Sequence, residues 1–205
     1  MLKEANRTSS TVARPTAGAS FPITSEWSTE QLLALSKEDV ISLWRSAPTA
    51  TLEDLQGHFM GLIPNAGNAE SQARAAEFMY NENHRNGYWL GKAYRKTGDN
   101  TGEGYNRWRL PGGKVVRNMP FTTEVGKSFF DGKPSLLMYY GAYQAHNPTF
   151  VDEVRKLDDY IYLGVGSTLQ DGKRNPGHFM LVGPTDEWVG GAEGELVKGF
   201  VKPTE

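Results

Sequence analysis

The 205-residue chain contains no cysteine, which removes disulfides, thiolate nucleophiles and Cys-based zinc sites together and fits a reducing compartment. It also lacks any apolar run of about 18 residues, and any signal-peptide core near Met1, so a soluble, cytoplasmic protein with no membrane partner is expected. Excess charge is missing too. Lys plus Arg is 22 and Asp plus Glu is 24, and a net charge of −2 offers no field for a phosphate backbone, so no nucleic-acid partner is expected. Histidine is scarce: His58, His84, His146 and His178 show neither H-x-H nor H-E-x-x-H spacing, and no metal site is expected. There is no P-loop, no G-x-G-x-x-G opening a helix after a strand, and no G-x-S-x-G elbow, which argues against nucleotide cofactors and serine-hydrolase chemistry. No cofactor is expected. The glycines of "GEGY" and "GVGS" fall inside strand-like runs and read as bulges or barrel bends.

What is present divides into a tail and one domain. Residues 1–26 are rich in Ser, Thr, Ala and Pro without an apolar period, and read as a flexible tail. Residues 27–205 form a single domain: a helical lead-in with a first strand over 27–86, then a β-barrel over 87–190. Ser28 with Gln31, and then Ser36, suit helix N-caps, with Val40, Leu43 and Trp44 on one face of the second helix. Thr51 with Asp54 marks a third helix start, and "AESQARAAEFMYNE" from Ala69 carries an apolar stripe of Ala75, Phe78 and Met79 read as core packing. From Gly87 the period becomes two. "GYWLGKAYR", "EGYNRWRL", "KVVRN", "FTTEVGKSFF", "PSLLMYYGAY", "DEVRKL", "YIYLGVGSTL" and "GHFMLVG" are aromatic and β-branched, joined by turn sequences such as "PGGK", "DGK" and "QDGK". No helical pattern separates them. The fold class is therefore mainly β (α+β), an antiparallel meander within 87–183 closing into a small calycin- or lipocalin-like barrel, with short N-terminal helices packed against it.

"LQGHFMGLIP" followed by a helix and then "YWLGKAYR" and "RLPGGKVV" resembles the bacterial GXWXG family, with Phe59 standing at the Trp position of "GHFMG". "SLLMYYGAY" through "VDEVRKLDDYIYLGVG" to "FMLVG" is similar to the companion domain of unknown function that follows it. The resemblance spans about Leu52 to Trp188 and implies a calycin-like barrel, with no activity to carry over.

Candidate site residues follow from strand faces. In "VDEVRKL", Glu153, Arg155 and Leu157 share one face and Asp152, Val154 and Lys156 the other. Two readings of Arg155 stand. It either points inward, paired with Glu153 or Glu103, to orient a ligand group, or it pairs with Glu153 or Asp158 as a clasp at the barrel end. Under the first, Lys156 and one or both of Asp158 and Asp159 stay in water at the turn. His178 and Met180 face either the lumen or the helices, opposite to Phe179 and Leu181. With Glu103 and Lys92, Arg155 and His178 form the candidate catalytic set. Trp89, Trp108, Tyr105, Tyr139, Tyr162 and Met180 form the candidate ligand wall, and at least one of the two Trp side chains should be buried with its indole N–H partnered. Two functions fit: a cofactor-independent enzyme that isomerises, cyclises or eliminates from a lipophilic substrate by proton transfer, or a carrier or sensor of a lipophilic ligand. An acid and a base converging on one cavity favour the enzyme; one isolated polar anchor favours the carrier. A homodimer stays open.

Overall fold

The structure is a computed structural model describing residues 10–12, 23–141 and 146–192. In chain order its elements are β1 (Ser10–Val12), β2 (Ile23–Ser25), α1 (Thr29–Leu33), α2 (Lys37–Ser46), β3 (Gly57–Leu62), α3 (Ala69–Tyr80), β4 (Tyr88–Gly98), β5 (Thr101–Arg109), β6 (Val115–Lys127), β7 (Pro134–Tyr139), β8 (Val151–Lys156), β9 (Ile161–Gln170) and β10 (Lys173–Asp186). From β3 onward each strand pairs antiparallel with the next, and β10 returns to pair with β3, closing an eight-stranded barrel without an edge. Of the segment read as a tail, β1 and β2 are described and pair with each other, apart from the barrel.

The mainly β meander holds, and so does the count of eight, but not the staves. "KVVRN" and "FTTEVGK" are one strand, β6, turned at Met119 with a φ of 49° beside Pro120. The eighth stave is β3, which precedes Gly87, so the expected limits of 87–183 leave out the strand that closes the barrel. The Ser28–Gln31 capping box opens α1 and Ser36 caps α2. Thr51 and Asp54 do bond to each other, yet they shape a turn and no helix. In α3 no side chain is fully buried: Met79 only edges the core, and Phe78 is 46% exposed.

Packing forms an inner and an outer layer. Phe59, Trp89, Tyr94, Trp108, Phe121, Met138, Tyr162 and Phe179 fill the barrel with Leu and Val neighbours. Outside, Leu32, Val40 and Trp44 of α1 and α2 cover Ile161, Leu163, Val165, Met180 and Val182. Residues 47–56 close one barrel end. Pro48 O accepts from Lys156 N, Thr49 Oγ1 donates to Pro134 O, and Ala50, Leu52 and Leu55 join the inner core.

Arg155 belongs to the outer layer, which corrects its inward reading. Its guanidinium makes a two-pronged bond to Asp131 at 2.9 and 2.6 Å, donates to the Trp44 and Arg45 carbonyls, and lies 4.0 Å over the Trp44 ring. It is a clasp joining the end of α2, the β6–β7 turn and β8. Its partner is Asp131, not Glu153, Glu103 or Asp158; the Glu153 carboxylate instead accepts from Phe129 N. Alternation explains the error: Val151, Glu153 and Arg155 do share an apolar-looking face, but the β6–β7 turn and the end of α2 cover that face from outside. Lys156 is not left in water either, being half-buried and paired with Asp54 and Asp159. Asp159 is solvent-exposed as expected, and Asp158 shapes the turn by accepting from Tyr160 N and Ile161 N.

Replacing Arg155 by Met should cost about 3 kcal/mol by urea unfolding while the barrel still folds, because Asp131 and the Trp44 and Arg45 carbonyls lose their donor. The Arg155 bond holds Asp131 at about 2, below its ordinary 3.8. A depressed folded value stabilises above the unfolded pKa and is lost as protons bind, so the clasp should weaken as pH falls from 3.8 towards about 2. Asp131→Asn should flatten that part of the stability profile.

Candidate functional site

The lumen is lined by alternation, adjusted in one place by a bulge. Trp89 pairs with Trp108, but Gly91 pairs with Arg107 and Lys92 with Asn106, so Leu90 is an extra residue in β4. Without that insertion Trp89 and Lys92, three apart, would face opposite ways. Gly91 takes a φ of +125° here, and a Cβ on it would meet Phe59 O at 2.0 Å, so the bulge needs glycine. Both side chains then face the lumen with Asn106 and Trp108.

Four polar groups meet inside. Lys92 Nζ donates to Asn106 Oδ1 at 3.0 Å, to Asp152 Oδ2 at 2.9 Å and to the Tyr140 hydroxyl. Tyr140 donates in turn to Asp152 Oδ2, and Trp89 Nε1 donates to Asn106 Oδ1 at 3.0 Å. The expectation of a buried Trp with a partnered indole is met at Trp89. Aromatic rings enclose the ammonium, with those of Tyr140 and Phe179 centred 5.1 Å away, Phe121 at 5.4 Å and Trp89 at 5.8 Å. Lys92 is 3% exposed, Asp152 4% and Tyr140 1%.

Glycines make the room. A Cβ on Gly164 would sit 2.2 Å from the Phe179 ring, and one on Gly166 would sit 2.4 Å from Asp152 Oδ1. The "GVGS" glycines are thus places where lumen side chains lie against bare backbone, and the unbroken register there shows no bulge.

Burial sets the protonation tendencies. It pushes Lys92 down from its ordinary value, opposed by the charge and bond of Asp152. Tyr140 is pushed well up, first by burial and then by the Asp152 charge, so its hydroxyl stays protonated and acts as a hydrogen-bond donor. A hydroxyl donor, a carboxylate and a caged ammonium therefore meet in one cluster sealed inside the barrel. Among the described residues no cluster of His, Asp and Glu is placed to hold a metal ion.

Of the expected site residues, Lys92, Trp89, Trp108 and Tyr162 face the lumen, Tyr162 near the closed end with its hydroxyl on Asp54 O. The others do not. Arg155 is in the clasp. His178 and Met180 lie under the helices; burial, then Lys37, pushes His178 down to about 4, so it carries no positive charge near neutral pH. Glu103 pairs with Arg95 outside the barrel. Tyr105 is buried on the outer wall, its hydroxyl 3.0 Å from His58 Nε2 and its ring tilted against Trp188. Tyr139 is outside as well, bonded to Glu124. Sequence reading missed Asp152, Tyr140, Asn106, Phe121 and Phe179. The signal for Asp152 was there: it shares a strand face with Val154, and that face is the inner one.

No family model and no curated protein matches the chain. Among solved structures it is similar to a protein from Thermomonospora curvata, at 17% identity, covering 72% of this chain and 87% of that chain with a TM-score of 0.49.

Lys92→Met should destabilise by about 3–5 kcal/mol, because it strands a buried carboxylate. Lys92→Met with Asp152→Leu should recover most of that loss, the non-additivity measuring the pair's coupling. Denaturant midpoints of the two single variants and the double variant check this.

Proposed function

We propose that the chain is a cofactor-independent enzyme that isomerises, cyclises or eliminates from a lipophilic small molecule by proton transfer in the barrel lumen. What supports this is the meeting of Asp152, Tyr140 and Lys92 inside an aromatic wall: an acceptor, a donor and a positive charge in one buried cluster. Asp152 takes a proton from a carbon next to a carbonyl. The negative charge that moves onto the carbonyl oxygen is stabilised by the positive charge of Lys92, and by the Tyr140 hydroxyl, which turns from Asp152 once that carboxylate has taken the proton. The proton then returns at another carbon, or a leaving group departs, so no electrons are gained or lost overall. Rings of Trp89, Phe121 and Phe179 hold the substrate and exclude water, which strengthens each of these interactions. With this reading go the resemblance to the GXWXG family and its companion domain, a calycin-like relationship and a cytoplasmic location. Among the described residues no helix is long and apolar enough to cross a membrane.

The test starts from the small molecule that co-purifies with Asp152→Asn protein. Incubated with the wild-type chain, it should become a product of equal mass and different retention, or one lighter by a small leaving group. Tyr140→Phe should slow that conversion by about 100-fold or more with the fold intact. Recovery of the molecule unchanged from the wild-type chain would make the barrel a carrier.

A further inference from the structure

We infer that the lumen takes an uncharged lipophile carrying a carbonyl or hydroxyl group, admitted beside Gly177, and turns away carboxylates, sulfonates and phosphates. This deepens the proton-transfer reading and rests on the same site.

Charge balance is the first ground. Lys92 and Asp152 are the opposed charges of the inner cluster, 2.9 Å apart. All three N–H groups of the ammonium are already used, on Asn106, Tyr140 and Asp152. Towards the closed end Lys156 is matched by Asp54. Nearby cations belong to the outer wall: Arg155 is in its clasp, Arg109 pairs with Glu82, and Arg174 lies over Phe129. An anionic guest would thus bring an unmatched charge among aromatic rings, at a large desolvation cost.

Access is the second ground. Gly177 of β10 is the register partner of Gly166 of β9, and it shares the inner face of Phe179 and Leu181. Yet it is exposed, and a Cβ there would meet nothing nearer than Gly166 O at 3.9 Å. The inner face is therefore open to solvent at this corner. One residue across the ladder, the Cβ position of Gly166 lies 2.4 Å from Asp152 Oδ1, the carboxylate oxygen that carries neither the Lys92 nor the Tyr140 bond. A guest passing Gly177 thus meets Asp152 Oδ1, an acceptor. It must offer a hydroxyl or an acidic C–H, not a second anion.

Fluorescence titration with two naphthalene probes tests this: the neutral ketone Prodan and the sulfonate 1-anilinonaphthalene-8-sulfonate. The wild-type chain should bind Prodan more tightly by about tenfold or more. Gly177→Leu, at a position whose φ suits an L-residue, should weaken Prodan by about tenfold with an unchanged unfolding midpoint. Asp152→Asn, which leaves Lys92 unmatched, should raise sulfonate affinity. Lys92→Met with Asp152→Leu restores neutrality without any catalytic group, and should keep the Prodan preference even if the Asn variant folds poorly. A wild-type preference for the sulfonate, or Prodan binding indifferent to Gly177→Leu, overturns the inference. Prodan preference without conversion of the co-purified molecule upholds it and sinks the enzyme reading alone; conversion with sulfonate preference does the reverse.

Discussion

Everything in this barrel depends on the return of β10 to β3. Met180, Leu181 and Val182 pair with Leu62, Gly61 and Met60, and this ladder turns an open meander into a closed wall. Closure gives each strand an inside and an outside, so period-two alternation acquires a meaning it lacks in a flat sheet. Phe179 and Leu181 go in, and Met180 and Val182 go out beneath α1 and α2. The interior is then finite. Large rings fit only where the opposite backbone is bare, as Trp89 fits over Gly61 and Phe121 over Gly104.

Within that space the Lys92–Asp152 pair is expensive to bury and weak evidence for stability on its own. Two charges leave water, and their attraction offsets the loss only with good geometry and with the remaining donors satisfied. Both conditions are met: the ammonium uses every proton, and rings surround it with their negative faces. An apolar core of equal volume would serve stability as well. Stability alone therefore does not account for an ion pair at the centre of an aromatic lumen.

The fold was legible because it is written in local patterns. Turn chemistry at Pro111, Asp131 and Gln170 and the aromatic alternation between them marked most of the staves. β3 was harder to place in the barrel, since α3 separates it from β4 and its partner β10 lies more than a hundred residues on. Side-chain direction was legible only in part. Lys92 and Trp89 both reach the lumen because of a bulge at Leu90, which strict alternation cannot show. For His178 and Met180 the pattern left two faces equal, and what decided between them was the placement of α2, a tertiary fact. Asp152 and Tyr140 were passed over because a lone Asp near a strand start and one Tyr in an aromatic run look ordinary until closure brings them to Lys92.

In the charged run "VDEVRK", β8 carries ion pairs on both faces of one strand, of which those of Asp152 and Arg155 are the most deeply buried. Arg155 reaches outward to Asp131, which keeps contact with solvent and is loosened by acid; Asp152 reaches inward to Lys92, which is nearly sealed from solvent. The two differ in what surrounds them more than in distance. The outer pair has a helix end to hold: its guanidinium binds the last carbonyls of α2 and so ties the covering layer to the wall. Among the described residues the inner pair anchors no helix, turn or backbone group by its charges, and its neighbours are rings, one amide and a phenol. One strand thus supplies an outer clasp and a carboxylate buried in the lumen three residues apart, and alternation keeps them from neutralising each other.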